Sequence, residues 1–302
     1  MKRARFAHLA GGLLAITLLA GACDGNDDDG SASDPITAPG GDTETEAPAR
    51  PEVIFAAGGE NIEVPDSVPS GFVDIRVKGL EGNGGAHFLL ARINDGVTDE
   101  QLDAAIASAG EEFFGLVDVV GGNGTIAAGD QTLMSLELAE GNYVAINIYF
   151  TSPEAGPSFA IDRFVVVDEG NEASAPDDKG TVNLGPDMRI TVPDDFDATG
   201  VWRFENRDAQ FAHEAAMVRL APGATAEDVV NWFHTQEGPP PIEGEFGSMG
   251  AIGPGNEAWI DFDASPLDAG EYAMVCFLPG TDGLPHVFNG MIAQVSVGAS
   301  GT

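Results

Sequence analysis

Lysine is nearly missing from this chain. Its 302 residues include only Lys2, Lys78 and Lys179, and thirteen basic residues in all face 49 acidic ones. The formal net charge is −36. A surface of that sign repels phosphate backbones and anionic headgroups, which excludes nucleic acid as a partner. Dissolved salt screens the self-repulsion, so the composition suits either a salty medium or simple solubility. Cysteine is limited to Cys23 and Cys276, too few for a disulfide framework. No glycine-rich phosphate loop precedes a helix, and neither a nucleophile elbow nor a zinc-protease motif occurs. The acidic runs Asp27–Asp29 and Asp177–Asp178 lack the spacing of a calcium loop. With none of these motifs, the chain is expected not to be an enzyme.

What is abundant is glycine, with 40 residues, and proline, with 19. Both punctuate short extended segments with turns. The N-terminus is differently built. Lys2, Arg3 and Arg5 precede an apolar segment, Leu9–Leu19, too short to cross a bilayer. Leu19-Ala20-Gly21-Ala22-Cys23 follows, and this resembles the lipobox of bacterial lipoproteins, although Ala20 stands where leucine is commoner. The resemblance implies a signal peptide over 1–22, lipidation of Cys23 and a membrane partner reached through that anchor outside the cytoplasm. Removing the leader takes the net charge from −36 to −39, because it carries three basic residues and no acid. Residues 23–51 are small, polar and acidic and read as a disordered tether. Residues 169–180 have the same character and read as a linker.

The segments 52–168 and 181–302 read as copies of each other. Ile62-Glu63-Val64-Pro65-Asp66 matches Ile190-Thr191-Val192-Pro193-Asp194. His87 matches His213, Gly96-Val97-Thr98 matches Gly223-Ala224-Thr225, and Gly141-Asn142-Tyr143-Val144 matches Gly270-Glu271-Tyr272-Ala273. Each copy predicts early strands (Val73–Val77 and Val201–Glu205) and then a short helix. Thr98 with Gln101, and Thr225 with Asp228, have capping-box spacing. Leu102, Ala105 and Ile106 form the inward stripe of the first helix; Val229, Trp232 and Phe233 form that of the second. Glycine-rich loops are expected next, followed by strands at Gln131–Leu138 and Glu257–Phe262. The last strands of copy one are expected at Tyr143–Tyr149 and Asp162–Val167. The pattern predicts an all-β chain of two tandem Greek-key β-sandwiches, each with one short inserted helix.

Copy two ends on Gly270–Val297, which reads as strand, long loop and strand. Tyr272, Met274 and Cys276 alternate onto one face, and Ala273, Val275 and Phe277 onto the other. With Cys23 lipidated, Cys276 has no disulfide partner in an oxidising compartment. It is therefore either a buried apolar residue or a metal ligand. His286 and Met291 follow on the loop, and His213 lies earlier, after the Asn206 strand end. A thiolate and two imidazoles with a weak thioether tolerate both copper oxidation states.

In this order of residues copy two resembles the cupredoxin family. The resemblance implies a β-sandwich holding one copper ion, with His213, Cys276, His286 and Met291 as ligands, and a redox protein as partner. Residues 277–285 make the interval between Cys276 and His286 longer than is typical of that family. Gly280, Gly283 and Pro285 could fold it back as a hairpin. In copy one Asn147 stands for the cysteine, Ser158 for the second histidine and Ile161–Arg163 for the methionine, so only His87 is kept and copy one is expected to hold no metal. His234 reads as solvated, and Met217, Met274, Tyr143 and Tyr272 read as packing residues. The competing class is a metal-free sandwich pair for binding or adhesion at the cell surface.

Overall fold

The computed structural model describes residues 48–81, 86–108, 111–151 and 156–298. The segment read as a signal peptide, the lipidation site Cys23 and most of the tether lie outside the described residues. The end of that tether is ordered: the Arg50 guanidinium donates to Asp74 Oδ1 at 2.8 Å, and Pro51 O accepts from Asp74 N at 2.9 Å.

Copy one contributes nine strands among the described residues: β1 (Glu52–Gly58), β2 (Asn61–Glu63), β3 (Ser67–Pro69), β4 (Gly71–Gly79), β5 (Ala86–Ile93), β6 (Val117–Ile126), β7 (Gln131–Leu138), β8 (Gly141–Tyr149) and β9 (Ser158–Val167). Copy two contributes β10 (Thr181–Leu184), β11 (Ile190–Thr191), β12 (Val201–Asn206), β13 (His213–Leu220), β14 (Ile242–Ile252), β15 (Glu257–Asp261), β16 (Gly270–Val275) and β17 (Ile292–Val297). The two segments have parallel features in their pairing. β1 runs parallel to β4 as β10 does to β12, and Arg92 faces Tyr143 across β5 and β8 as Arg219 faces Tyr272 across β13 and β16. Both tyrosine hydroxyls donate four residues back, Tyr143 to Ala139 O and Tyr272 to Asp268 O.

The copies are joined strand to strand. One sheet has the order β11-β10-β12-β15-β7-β4-β1-β2 and the other β17-β16-β13-β14-β6-β5-β8-β9-β3. The two orders run through both copies because β15 pairs with β7 and β14 with β6, both antiparallel. Four edges that would otherwise expose unpaired backbone groups close on one another.

The strands β6 and β14 correct the expectation of glycine-rich loops. Their glycines serve close approach instead of turning. A Cβ on Gly122 would lie 2.3 Å from Phe88 O, and one on Gly250 would lie 2.8 Å from Asn123 N. The expected linker is also held: Asn171 Nδ2 donates to Ser70 O and Phe72 O, both at 2.9 Å, and Trp259 Nε1 donates to Asp178 Oδ2.

The core lies between the sheets, where Phe55, Phe88, Trp202, Phe204 and Phe262 are buried. Helices α1 (Asp99–Ser108) and α2 (Ala226–Thr235) cover the outer face of the nine-stranded sheet. Both start on the expected capping boxes, with Gln101 N–H donating to Thr98 Oγ1 and Asp228 N–H to Thr225 Oγ1. Leu102, Ala105 and Ile106 are buried as expected, the leucine and isoleucine each contributing about 2 kcal/mol of burial. Trp232 departs from its expected place in the stripe. It is half-buried and its indole N–H donates to Gly238 O at 3.1 Å, because a buried indole nitrogen would need a partner inside. The strand expected through Phe262 stops at Asp261, whose side chain accepts from Asp263 N–H and caps a 3₁₀ turn.

Candidate metal centre

Tyr272, Met274 and Cys276 face the inter-sheet core, and Ala273 and Val275 face the helix layer, as the alternation predicts. Cys276 follows the end of β16 and is buried. The long loop after it folds back. Gly280 N donates to Leu284 O and Gly283 N to Gly280 O, a bridge joins Pro279 to Pro285, and His286 N then donates to Leu278 O at 2.9 Å. Val287 N donates to Cys276 O, and Cys276 N to Met291 O at 3.1 Å. His286 opens a 3₁₀ turn, His286–Asn289, that ends on Gly290 at φ +86°, a conformation open to glycine at little cost. The hairpin thus returns His286 to the thiol.

His213, first residue of β13, is placed by the turn before it. Asn206 Nδ2 donates to Phe211 O and Ile252 O at 2.9 Å each, and its Oδ1 accepts from Asp208 N. Asp208 Oδ1 accepts from Gln210 N and Phe211 N, which leaves Oδ2 facing His213 Nε2 at 3.1 Å. The carboxylate therefore orients the ring with Nδ1 inward. Gly185, at φ +66°, lies so close that an added Cβ would stand 3.1 Å from His213 Nε2. The Phe211 ring meets His286 edge-on at 5.6 Å.

Three donor atoms converge as a result. His213 Nδ1 and His286 Nδ1 are 3.1 Å apart, and Cys276 Sγ lies 3.3 Å from His286 Nδ1 and 3.9 Å from His213 Nδ1. All three residues are fully buried. Among the described residues they form the one cluster of three histidine, cysteine or carboxylate donors close enough to share an ion. Two nitrogens bound to one ion at about 2.0 Å and trigonal angles would sit roughly 3.5 Å apart, close to the spacing found. Met291 is buried in the same apolar cluster as Cys276.

The surroundings favour the uncharged forms of the three donor groups. Burial lowers His213 below the ordinary imidazole range, with Asp208 opposing. Burial and the neighbouring His213 lower His286 to about 4. Burial and the Glu214 carboxylate push the Cys276 thiol well up. His286 Nε2 is buried with no hydrogen-bond partner among the described residues.

The other sequence candidates divide cleanly. Met217 and Met274 are core residues and both tyrosines are buried. His234 is exposed, with its ring edge-on to Phe288 at 5.3 Å. In copy one Asn147 holds the cysteine position by hydrogen bonds, accepting from His87 N at 3.0 Å and donating to Gly59 O at 2.8 Å. Sequence reasoning missed Asp208 and Glu214. Asp208 carried a faint signal as the second side-chain acceptor in an Asn-x-Asp turn. Glu214 carried none, since a glutamate inside a strand reads as solvent-facing until its burial is known.

No protein-family model and no curated protein sequence matches the chain. Among solved structures it is similar to auracyanin A, a blue copper protein from Chloroflexus aurantiacus, at 16% identity and a TM-score of 0.25, over 39% of this chain and 100% of that one. It is also similar to a laccase from Botrytis aclada, at 12% identity and a TM-score of 0.22, over 84% of this chain and 54% of that one. A multicopper oxidase, mgLAC, is similar at 10% identity and a TM-score of 0.19, over 84% of this chain and 87% of that one.

Proposed function

We propose that this chain is a lipid-anchored extracytoplasmic protein whose second copy holds one copper ion for electron transfer or copper carriage, and that it is not itself an enzyme. The observation that carries the reading is the convergence of Cys276 Sγ with the Nδ1 atoms of His213 and His286 in a buried site. A soft thiolate with two imidazoles suits copper, which would supply a one-electron couple there. Met291 is the proposed weak fourth ligand. A redox protein is the expected partner.

The ionisation of the empty site gives a direct test. At pH 7 both imidazoles are already neutral, since their affinities for protons are depressed, whereas the thiol still holds its proton. Anaerobic Cu(I) titration at pH 7 is expected to load one ion per chain and release one proton, from Cys276. Metal analysis that finds no retained copper sinks the reading and leaves the metal-free binding module. Release of two or more protons would show that the imidazoles were charged.

The anchor rests on the small-residue run before Cys23. The mature protein is expected to partition with membranes, and Cys23→Ser to release it or leave it unprocessed. A mature chain carrying an intact, unmodified Cys23 by mass spectrometry would overturn the anchor.

A further inference from the structure

A second buried polar cluster lies where the two copies meet, and the proposed chemistry does not use it. Glu214 follows His213 on β13 and is 2% exposed. Its Oε1 accepts from Phe277 N–H at 2.6 Å, the residue directly after Cys276. One carboxylate is thus covalently next to one donor residue and hydrogen-bonded to the neighbour of another. Its Oε2 faces His87 Nε2 of copy one at 3.9 Å, and His87 Nδ1 faces Glu245 Oε1 of β14 at 3.6 Å. His87 stands between two carboxylates across the junction of the copies.

A carboxylate buried this deeply is costly unless a countercharge or several donors offset it. Burial raises Glu214 to about 7, Phe277 N–H supplies a donor to one oxygen, and the His87 ring faces the other. Burial alone would lower His87, but the Glu245 and Glu214 carboxylates outweigh it and raise it. Copy one kept this histidine while Asn147 took the cysteine's place, and Asn147 Oδ1 bonds the His87 backbone N–H. The His87 ring is left to face copy two.

We propose that His87 is a positioning residue for the centre in copy two: by holding the Glu214 carboxylate, it fixes the backbone at Phe277 and so the place of Cys276. Its effect on copper rests on the copper reading above, but the clamp itself does not. The backbone amide of Phe277 reports the clamp in the metal-free full chain through hydrogen exchange. His87→Leu is expected to speed that exchange about tenfold, the scale of a weakened charge-assisted hydrogen bond, while core amides keep their protection. Glu214→Gln retains an acceptor oxygen for Phe277 N–H and removes the carboxyl oxygen that faces His87, so adding His87→Leu to it is expected to change the rate less than about twofold. His87→Gln, closer in size and polarity, is expected to act in the same direction and serves if the leucine variant does not fold. In the copper-loaded chain, His87→Leu is expected to shift the reduction potential, because the Cys276 sulfur moves with the Phe277 backbone. Unchanged exchange at Phe277, or an equal effect of His87→Leu with Glu214 and with Gln at that position, would overturn the proposal. Failure of the wild-type chain to bind copper would remove the copper reading alone and leave the exchange measurements to decide the clamp.

Discussion

Cys276→Ser is expected to abolish the visible absorption of the copper-loaded protein and to weaken copper retention by more than about a hundredfold, beyond the loss typical of an outer partner. Sulfur bound to Cu(II) gives an intense charge-transfer band, because the thiolate donates readily into the copper hole. A serine oxygen is harder, holds its proton more strongly and cannot replace that bond. The substitution removes little volume from a site that already contains two imidazoles, so the fold should survive it. Absorbance after Cu(II) addition and metal content after gel filtration measure the two effects. His286→Ala is expected to weaken binding strongly as well, since the hairpin over residues 277–285 exists to bring that ring to the thiol. Met291→Leu is nearly volume-conserving and should leave copper bound while raising its potential. A serine variant that keeps both the band and the metal would show that Cys276 is only a buried packing residue.

Gly122→Val is expected to damage the fold severely. The new Cβ would stand 2.3 Å from Phe88 O and 3.3 Å from Leu89 Cα, both backbone atoms of the neighbouring strand. A backbone obstacle cannot rotate away as a side chain can. Strand β6 would have to separate from β5 or from β14, and either movement opens a sheet shared by both copies. The cost is expected to be at least about 3 kcal/mol, a drop in Tm of roughly 6–12 °C, or failure to fold. Gly115→Ala is the control, because nothing lies within 4 Å of its added Cβ; it should change stability by less than about 0.5 kcal/mol. Thermal melts of the two variants decide the matter. A Gly122→Val protein that melts within about 2 °C of the parent would mean that the junction tolerates wide separation.

Much of the architecture was legible in local pattern. Alternation placed Tyr272, Met274 and Cys276 on the inter-sheet face, and threonine three residues before a side-chain acceptor marked both helix starts. These signals are short-range: strand faces have period two, and a capping box closes within one turn. The internal match of His87 with His213 and of Tyr143 with Tyr272 likewise needed no coordinates. The four candidate ligands were readable as residue types in an order suited to copper.

The tertiary structure decided what depends on distance across the chain. Residues 277–285 could have looped away from Cys276 as easily as back, and the hydrogen bonds of Gly280, Leu284 and His286 are what close the gap. Asp208 acquires its role because the turn before β13 aims it at His213, and Glu214 because other segments bury it beside Phe277. The glycines of β6 and β14 read as loop formers because a glycine in sequence signals either a turn or a close approach, and only a neighbouring backbone distinguishes the two. For the same reason the sequence by itself determined two segments of matching pattern with one thiol and its candidate imidazoles, while only the packing of β6 on β14 and β7 on β15 made them one continuous pair of sheets. Strand pairing between distant segments depends on matching surfaces that neither segment encodes alone.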